Sequence, residues 1–155
     1  MKKIALASAI ALASITAAHA APTVYGKVLL TGEYTDVDDK TAANKDTSTT
    51  KLVSNSSRIG FKGEDDLTDT TKLVYQLEYG IDVDADTNGK GQFYSRNTFI
   101  GLAHNTMGTL IAGRHDTPFK LAKGGVDVFN DYDNVGLGKL MAGENRANNV
   151  IAYKS

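Results

Sequence analysis

Few residues in this chain are of types that could do covalent or metal chemistry, and their spacing defeats each of them. Asp84, Asp86 and Asn88, followed by Gly89, match the opening of an EF-hand calcium loop. The twelfth position, which must supply a bidentate Glu, is Ser95, and no helical pattern flanks the segment. It reads as a polar loop with an Asn-Gly turn. Gly136, Gly138 and Gly143 surround Lys139, yet Leu140 stands where a phosphate-binding loop needs Ser or Thr, so this is read as a loop tip. No G-x-S-x-G motif occurs. His104 and His115 belong to no ligand-spaced cluster and read as surface or interface residues. The absence of cysteine excludes thiolate catalysis, thiolate zinc sites and disulfide scaffolds. No catalytic, cofactor or metal site is expected.

What remains is charge. Lys and Arg number 17 against 18 Asp and Glu, a net charge of −1, which argues against a nucleic-acid partner. These charges recur in the middle of segments where they alternate with apolar residues, so the elements that line them up carry the information.

The clearest such segment is 72–82. Leu73, Tyr75, Leu77, Tyr79 and Ile81 fall on one face, and Lys72, Val74, Gln76, Glu78, Gly80 and Asp82 on the other. Segment 23–35 sets Val24, Val28, Leu30 and Tyr34 against Tyr25, Lys27, Thr31 and Glu33, and segment 56–64 sets Ile59 and Phe61 against Arg58, Lys62 and Glu64. Segment 94–103 sets Phe99 and Ala103 against Arg96 and Thr98, with Ile100 and Leu102 blurring the contrast. Segments 108–114 and 148–155 complete six strand candidates, and a helical turn is expected after Pro118. The connections run long (35–51), short (65–71), long (82–91), short (105–107) and very long (115–147). Such regular alternation is the habit of an outer-membrane barrel, with long outside loops and short periplasmic turns. Aromatics near strand ends (Tyr25, Tyr34, Phe61, Tyr79, Phe93, Tyr94, Tyr153) suit an interfacial girdle.

The first twenty residues stand apart. Lys2 and Lys3 precede an uncharged run from Ile4 to Ala17, then Ala18-His19-Ala20, which reads as a signal peptide with its cleavage site. The mature chain would be residues 21–155, with a net charge of −3 once those two lysines leave.

Several motifs then coincide. Tyr25-Gly26-Lys27, the run Ser57-Arg58-Ile59-Gly60-Phe61-Lys62-Gly63-Glu64-Asp65-Asp66-Leu67, and Ser95-Arg96-Asn97-Thr98-Phe99-Ile100-Gly101-Leu102 each resemble a strand of the Gram-negative general porins. Gly108 to Arg114 followed by Thr117-Pro118, and Asn145 to Tyr153, resemble the strands flanking that family's third loop. The resemblance covers 21–155 in the right order. It implies an all-β fold, a transmembrane antiparallel β-barrel of sixteen strands, of which this chain supplies about six and the inward-folding third loop. It also implies a homotrimer in outer-membrane lipid and lipopolysaccharide that passes ions and small hydrophilic solutes passively. Its constriction maps basic wall positions onto Lys27, Arg58, Arg96 and Lys154, all on the polar faces found above. The loop acids map onto Asp127 and Asp131, with Asp133 and Glu144 next, although Val128 and Asn130 depart from the family's pattern. Lys62, Glu64, Gln76 and Glu78 would face the lumen. Opposed rings of charge at such a point set up a transverse field that tunes ion selectivity.

Two rivals share the alternation: an exported soluble β-sandwich used for binding or adhesion, and a barrel enzyme, for which no Ser-His pairing speaks. Length bears on the choice. A water channel needs about sixteen strands, or about 350 residues, and six strands alone leave open edges that lipid does not tolerate. The chain is therefore expected to be the N-terminal part of a larger barrel.

Overall fold

The computed structural model describes residues 21–37, 47–84, 92–129, 131–132 and 136–155. The signal-peptide reading (1–20), most of the Asn-Gly loop and Asp133 lie outside them. Eight strands form. β1 (Thr23–Lys27), β4 (Arg58–Thr68), β5 (Thr71–Ile81), β6 (Phe93–His104), β7 (Gly108–Asp116) and β8 (Arg146–Lys154) make one antiparallel sheet in the order β1-β4-β5-β6-β7-β8. β2 (Leu30–Val37) and β3 (Thr47–Ser54) pair as a separate hairpin. β4 to β8 are 9 to 12 residues long, the length a tilted strand needs to cross a membrane.

Three boundaries differ from the sequence reading. The expected single strand 23–35 is broken after Lys27, and the expected polar connection 35–51 contains most of β3. The breaks on the two chains face each other. The Asn55 amide donates to the Leu29 carbonyl at 2.9 Å, and the Leu29 amide donates to Ser57 Oγ at 3.0 Å. Between them Ser56 takes a φ of 54°, a kink that lets Asn55 and Ser57 bury their side chains. The acidic stretch 65–68 is strand rather than connection: Asp65 pairs with Leu73 and Asp66 with Lys72.

The short ends close tightly. Thr68 Oγ1 accepts the amides of Thr70 and Thr71, and His104 Nδ1 accepts those of Thr106 and Met107 at 3.2 Å. His104 is thus a turn cap. After β7, Thr117 caps the expected helical turn, α1 (Pro118–Ala122), by accepting the Lys120 amide. A 3-10 turn (Leu137–Lys139) follows before β8.

Register fixes the faces. Lys72, Val74, Gln76 and Glu78 of β5 share a side with Arg58, Gly60, Lys62 and Glu64 of β4 and with Tyr25 and Lys27 of β1, as the alternation predicts. In β6 the register slips between the Leu77 and Tyr79 pairings, so parity changes near Arg96. Tyr94 and Arg96 then lie on the charged face together with Phe99 and Ala103, while Ile100 and Leu102 join the apolar face. This corrects the assignment of Phe99 and Ala103 and explains the blurred contrast there. Tyr25 and Tyr94 are not girdle residues either: they cover Gly60 and Gly80 on the charged face, where a Cβ would run into the rings.

Burial is inverted relative to a water-soluble domain. Among the described residues no hydrophobic side chain is buried, whereas Asn55, Ser57, Glu78 and Asp127 are. Leu102, Leu110, Ile100, Ile151 and Tyr153 are all about half exposed or more. A soluble sandwich needs two sheets closed over an apolar core. The described residues form one sheet and a hairpin with no such core, so that alternative is corrected.

Candidate functional site

Lys27 and Arg58 are direct partners across β1 and β4. Like charges so placed repel, and two carboxylates answer them. Asp131, from the segment between α1 and β8, bonds Lys27 Nζ and lies 3.5 Å from Arg58 Nη1. Glu78, on β5, lies 4.0 Å from Arg58 Nε and 2.6 Å from Arg96 Nε. Tyr25 donates to the second Glu78 oxygen at 3.0 Å and accepts from Gln76 Nε2 at 2.8 Å. Strand spacing and pleat thus converge Tyr25, Arg58 and Arg96, from three strands, on one buried carboxylate, and the loop adds Asp131 beside Lys27 and Arg58.

Beside this cluster Arg146 of β8 is paired with Asp116 at 2.9 Å, and Asn97 holds the other Asp116 oxygen at 2.8 Å. A polar cavity of 480 Å³ opens between wall and loop, lined by five cations (Arg58, Arg96, Arg146, Lys120, Lys123) and one carboxylate, Asp116.

The remaining expected residues separate. Asp127 does not meet the wall; it organises the loop. It accepts the amides of Leu137 and Phe129 at 2.9 and 3.1 Å and pairs with Lys123 at 3.3 Å. Burial alone would push its carboxyl up, but the Leu137 amide, Lys123 and the Phe129 amide outweigh that and hold it below the ordinary range. Glu144 pairs with Lys120 at 3.5 Å and with Lys123, likewise inside the loop. Desolvation works against the Lys123 ammonium, yet Glu144 and Asp127 raise it above the usual lysine value. Lys154 stands elsewhere. It pairs with Thr109, in the row of Ala103 and Lys72, eight residues along β5 from the Gly80 row that holds Arg58. That is roughly 26 Å along the strand direction. Arg146 occupies the β8 position beside Arg96. Lys62 lies 5.6 Å from the Tyr25 ring, and Glu64 pairs with Lys72 at 2.6 Å towards the turns.

Arg146, Asp116, Lys120 and Lys123 were not expected at the site. Arg146 is in a strand motif quoted above, but a strand begun at 148 leaves it in the loop. The irregularity at Asn149, with a φ of 53°, hides the continuity. His115 packs edge-on against Phe99, with ring centroids 5.1 Å apart.

A family model described as Gram-negative porin matches residues 5–155. An outer membrane porin protein of Bordetella pertussis is 31% identical over all of this chain and 45% of its own length. The major outer membrane protein P.IA of Neisseria meningitidis is 42% identical over 56% of this chain and 21% of its own. Among solved structures, an anion-selective porin from Comamonas acidovorans superposes with a TM-score of 0.68 at 27% identity, covering 86% of this chain and 42% of that one. The chain therefore spans less than half the length of these relatives.

Proposed function

This chain belongs to the Gram-negative porin family of the outer membrane, and from that premise we propose that it forms the N-terminal wall and constriction loop of a larger diffusion channel. Residues 21–155 would supply the first strands of the barrel, following a signal peptide over 1–20. The charged face would line a water-filled lumen, and the apolar face would meet lipid, lipopolysaccharide or a neighbouring subunit of a homotrimer. Ions and small hydrophilic solutes would pass where the loop approaches Lys27, Arg58 and Arg96. The role is passive and involves no catalysis.

The observation that carries this reading is the inverted burial: carboxylate and amide inside, apolar side chains outside, on strands of membrane-crossing length.

The cation excess around the 480 Å³ cavity supports a preference for anions. Glu78, Asp131, Asp116, Glu144 and Asp127 each pair with one or more of these cations, so the excess is small and the preference would be weak and sensitive to single charges. Reversal potentials across a KCl gradient in planar bilayers containing the full-length protein test this. A potential of the sign given by chloride preference is expected; a cation-selective or non-conducting protein contradicts the proposal.

A further inference from the structure

Beneath the same loop lies a second cavity, of 900 Å³, with a different lining. Its wall is Phe99, Ile111, Val150 and Ala152, all on the charged face, and its roof is Pro118 and Leu121. An apolar hollow on the wet face of the sheet is unexpected, since the rest of that face carries charge. It shares Asp116 and Leu121 with the cation-lined cavity, so the two adjoin. Lys154 stands in its lining as well.

We infer that the two cavities together form a slot for amphipathic organic anions: a carboxylate seated among Arg58, Arg96 and Arg146, and a ring or short apolar chain against Phe99, Ile111 and Val150. The inference rests on the channel reading and adds a solute class to it. Charge complementarity chooses the head group: Arg58, Arg96 and Arg146 line that cavity, and each guanidinium has five N–H donors, more than its pairing with Glu78, Asp131 or Asp116 uses. Desolvation chooses the tail, because apolar surface leaves water on entering the hollow. Each cavity by itself is within the about 300–1,000 Å³ usual for small-molecule sites. Lys154, far along the strand from the arginines, offers a separate second seat at the hollow's other end. That suits conduction, where sites must be several and weak.

The test compares benzoate with acetate, which share the carboxylate and differ in the ring, as blockers of chloride current through the full-length channel in planar bilayers. Benzoate is expected to halve the current at a lower concentration than acetate. Ile111→Thr and Val150→Thr keep β-branching, and with it the strand. Val150→Thr exchanges one methyl and Ile111→Thr an ethyl group for a hydroxyl, so benzoate block is expected to weaken about fourfold and about fifteenfold respectively, leaving acetate block and open-channel chloride current as they were. Equal block by the two anions, as would follow if another segment of the longer protein fills the hollow, overturns the inference. So does benzoate block untouched in both variants. A protein that conducts no ions overturns instead the channel reading beneath it.

Discussion

Glu78→Gln isolates one charge of the constriction with almost no change in shape. The carboxylate is 7% exposed and touches Arg96, Arg58 and Tyr25. The amide oxygen keeps the Arg96 contact, the NH2 takes the place of the oxygen that Tyr25 bonds and must donate to the Tyr25 hydroxyl instead, and one negative charge leaves a wall of cations. For an ion passing about 7 Å away through water, one unit charge is worth about 0.6 kcal/mol unscreened, and about 0.3 kcal/mol at 0.1 M salt. Cation and anion feel it with opposite sign, so their permeability ratio changes by twice that energy. The anion-to-cation ratio should therefore rise about threefold at 0.1 M salt and about sevenfold in dilute salt. Reversal potentials of the full-length channel across a salt gradient, repeated at two mean concentrations, read both numbers. A shift towards cations, or no shift while Arg96→Ala still changes selectivity, would refute the placement of Glu78 at the ion path.

The opposite perturbation, Arg58→Ala, should shift the same ratio towards cations by a similar factor, read in the same bilayers. Asp131 gives a pH dependence. Burial pushes its carboxyl up, but Lys27 and Arg58 outweigh this and hold it below the ordinary value of 3.8. The loop-to-wall contact is therefore fully present above that value and lost as pH falls through the lowered one. Open-channel noise should stay low from neutral pH to about pH 4 and rise below it, and Asp131→Asn should show that noise at neutral pH. Leu77→Arg, on the apolar face, should cost about 2–4 kcal/mol in folding into bilayers, whereas the neighbouring Gln76→Arg should cost little; urea titrations in lipid vesicles compare them. Gly80→Ala pushes a methyl into the Tyr94 ring and should destabilise by about 1–3 kcal/mol in the same titration, with most of the loss recovered when Tyr94→Ala is added.

The sequence disclosed most where side-chain period alone set the geometry. β5 alternates without interruption over eleven residues, and its faces are those expected. The resemblance brought Lys27, Arg58 and Arg96 to one site; Lys27 and Arg58 are register partners, and Arg58 and Arg96 share Glu78. What stayed hidden follows from local backbone irregularity. The slip near Arg96 reverses parity within one strand, so a single-period reading splits β6 wrongly. β3 reads Thr-Ser-Thr-Thr-Lys-Leu-Val-Ser, with no apolar face to announce it, because its pairing with β2 is a hairpin exposed on both sides. The division of labour among the acids could not be seen either. Asp127 and Asp131 are four residues apart in one acidic turn, and only the folded loop assigns one to its own amides and the other to the wall.

The central claim is that one face of this sheet meets water and the other meets lipid. These 155 residues contain no cysteine, so single substitutions among them, made in a full-length protein otherwise free of cysteine, test it directly. Each would be reconstituted in vesicles and treated with a charged, membrane-impermeant thiol reagent. The expected result is rapid labelling of Val74→Cys, Gln76→Cys and Phe99→Cys, and protection of Leu73→Cys, Leu77→Cys and Ile100→Cys by lipid. Uniform labelling of both sets, or labelling of the second set alone, would contradict the account.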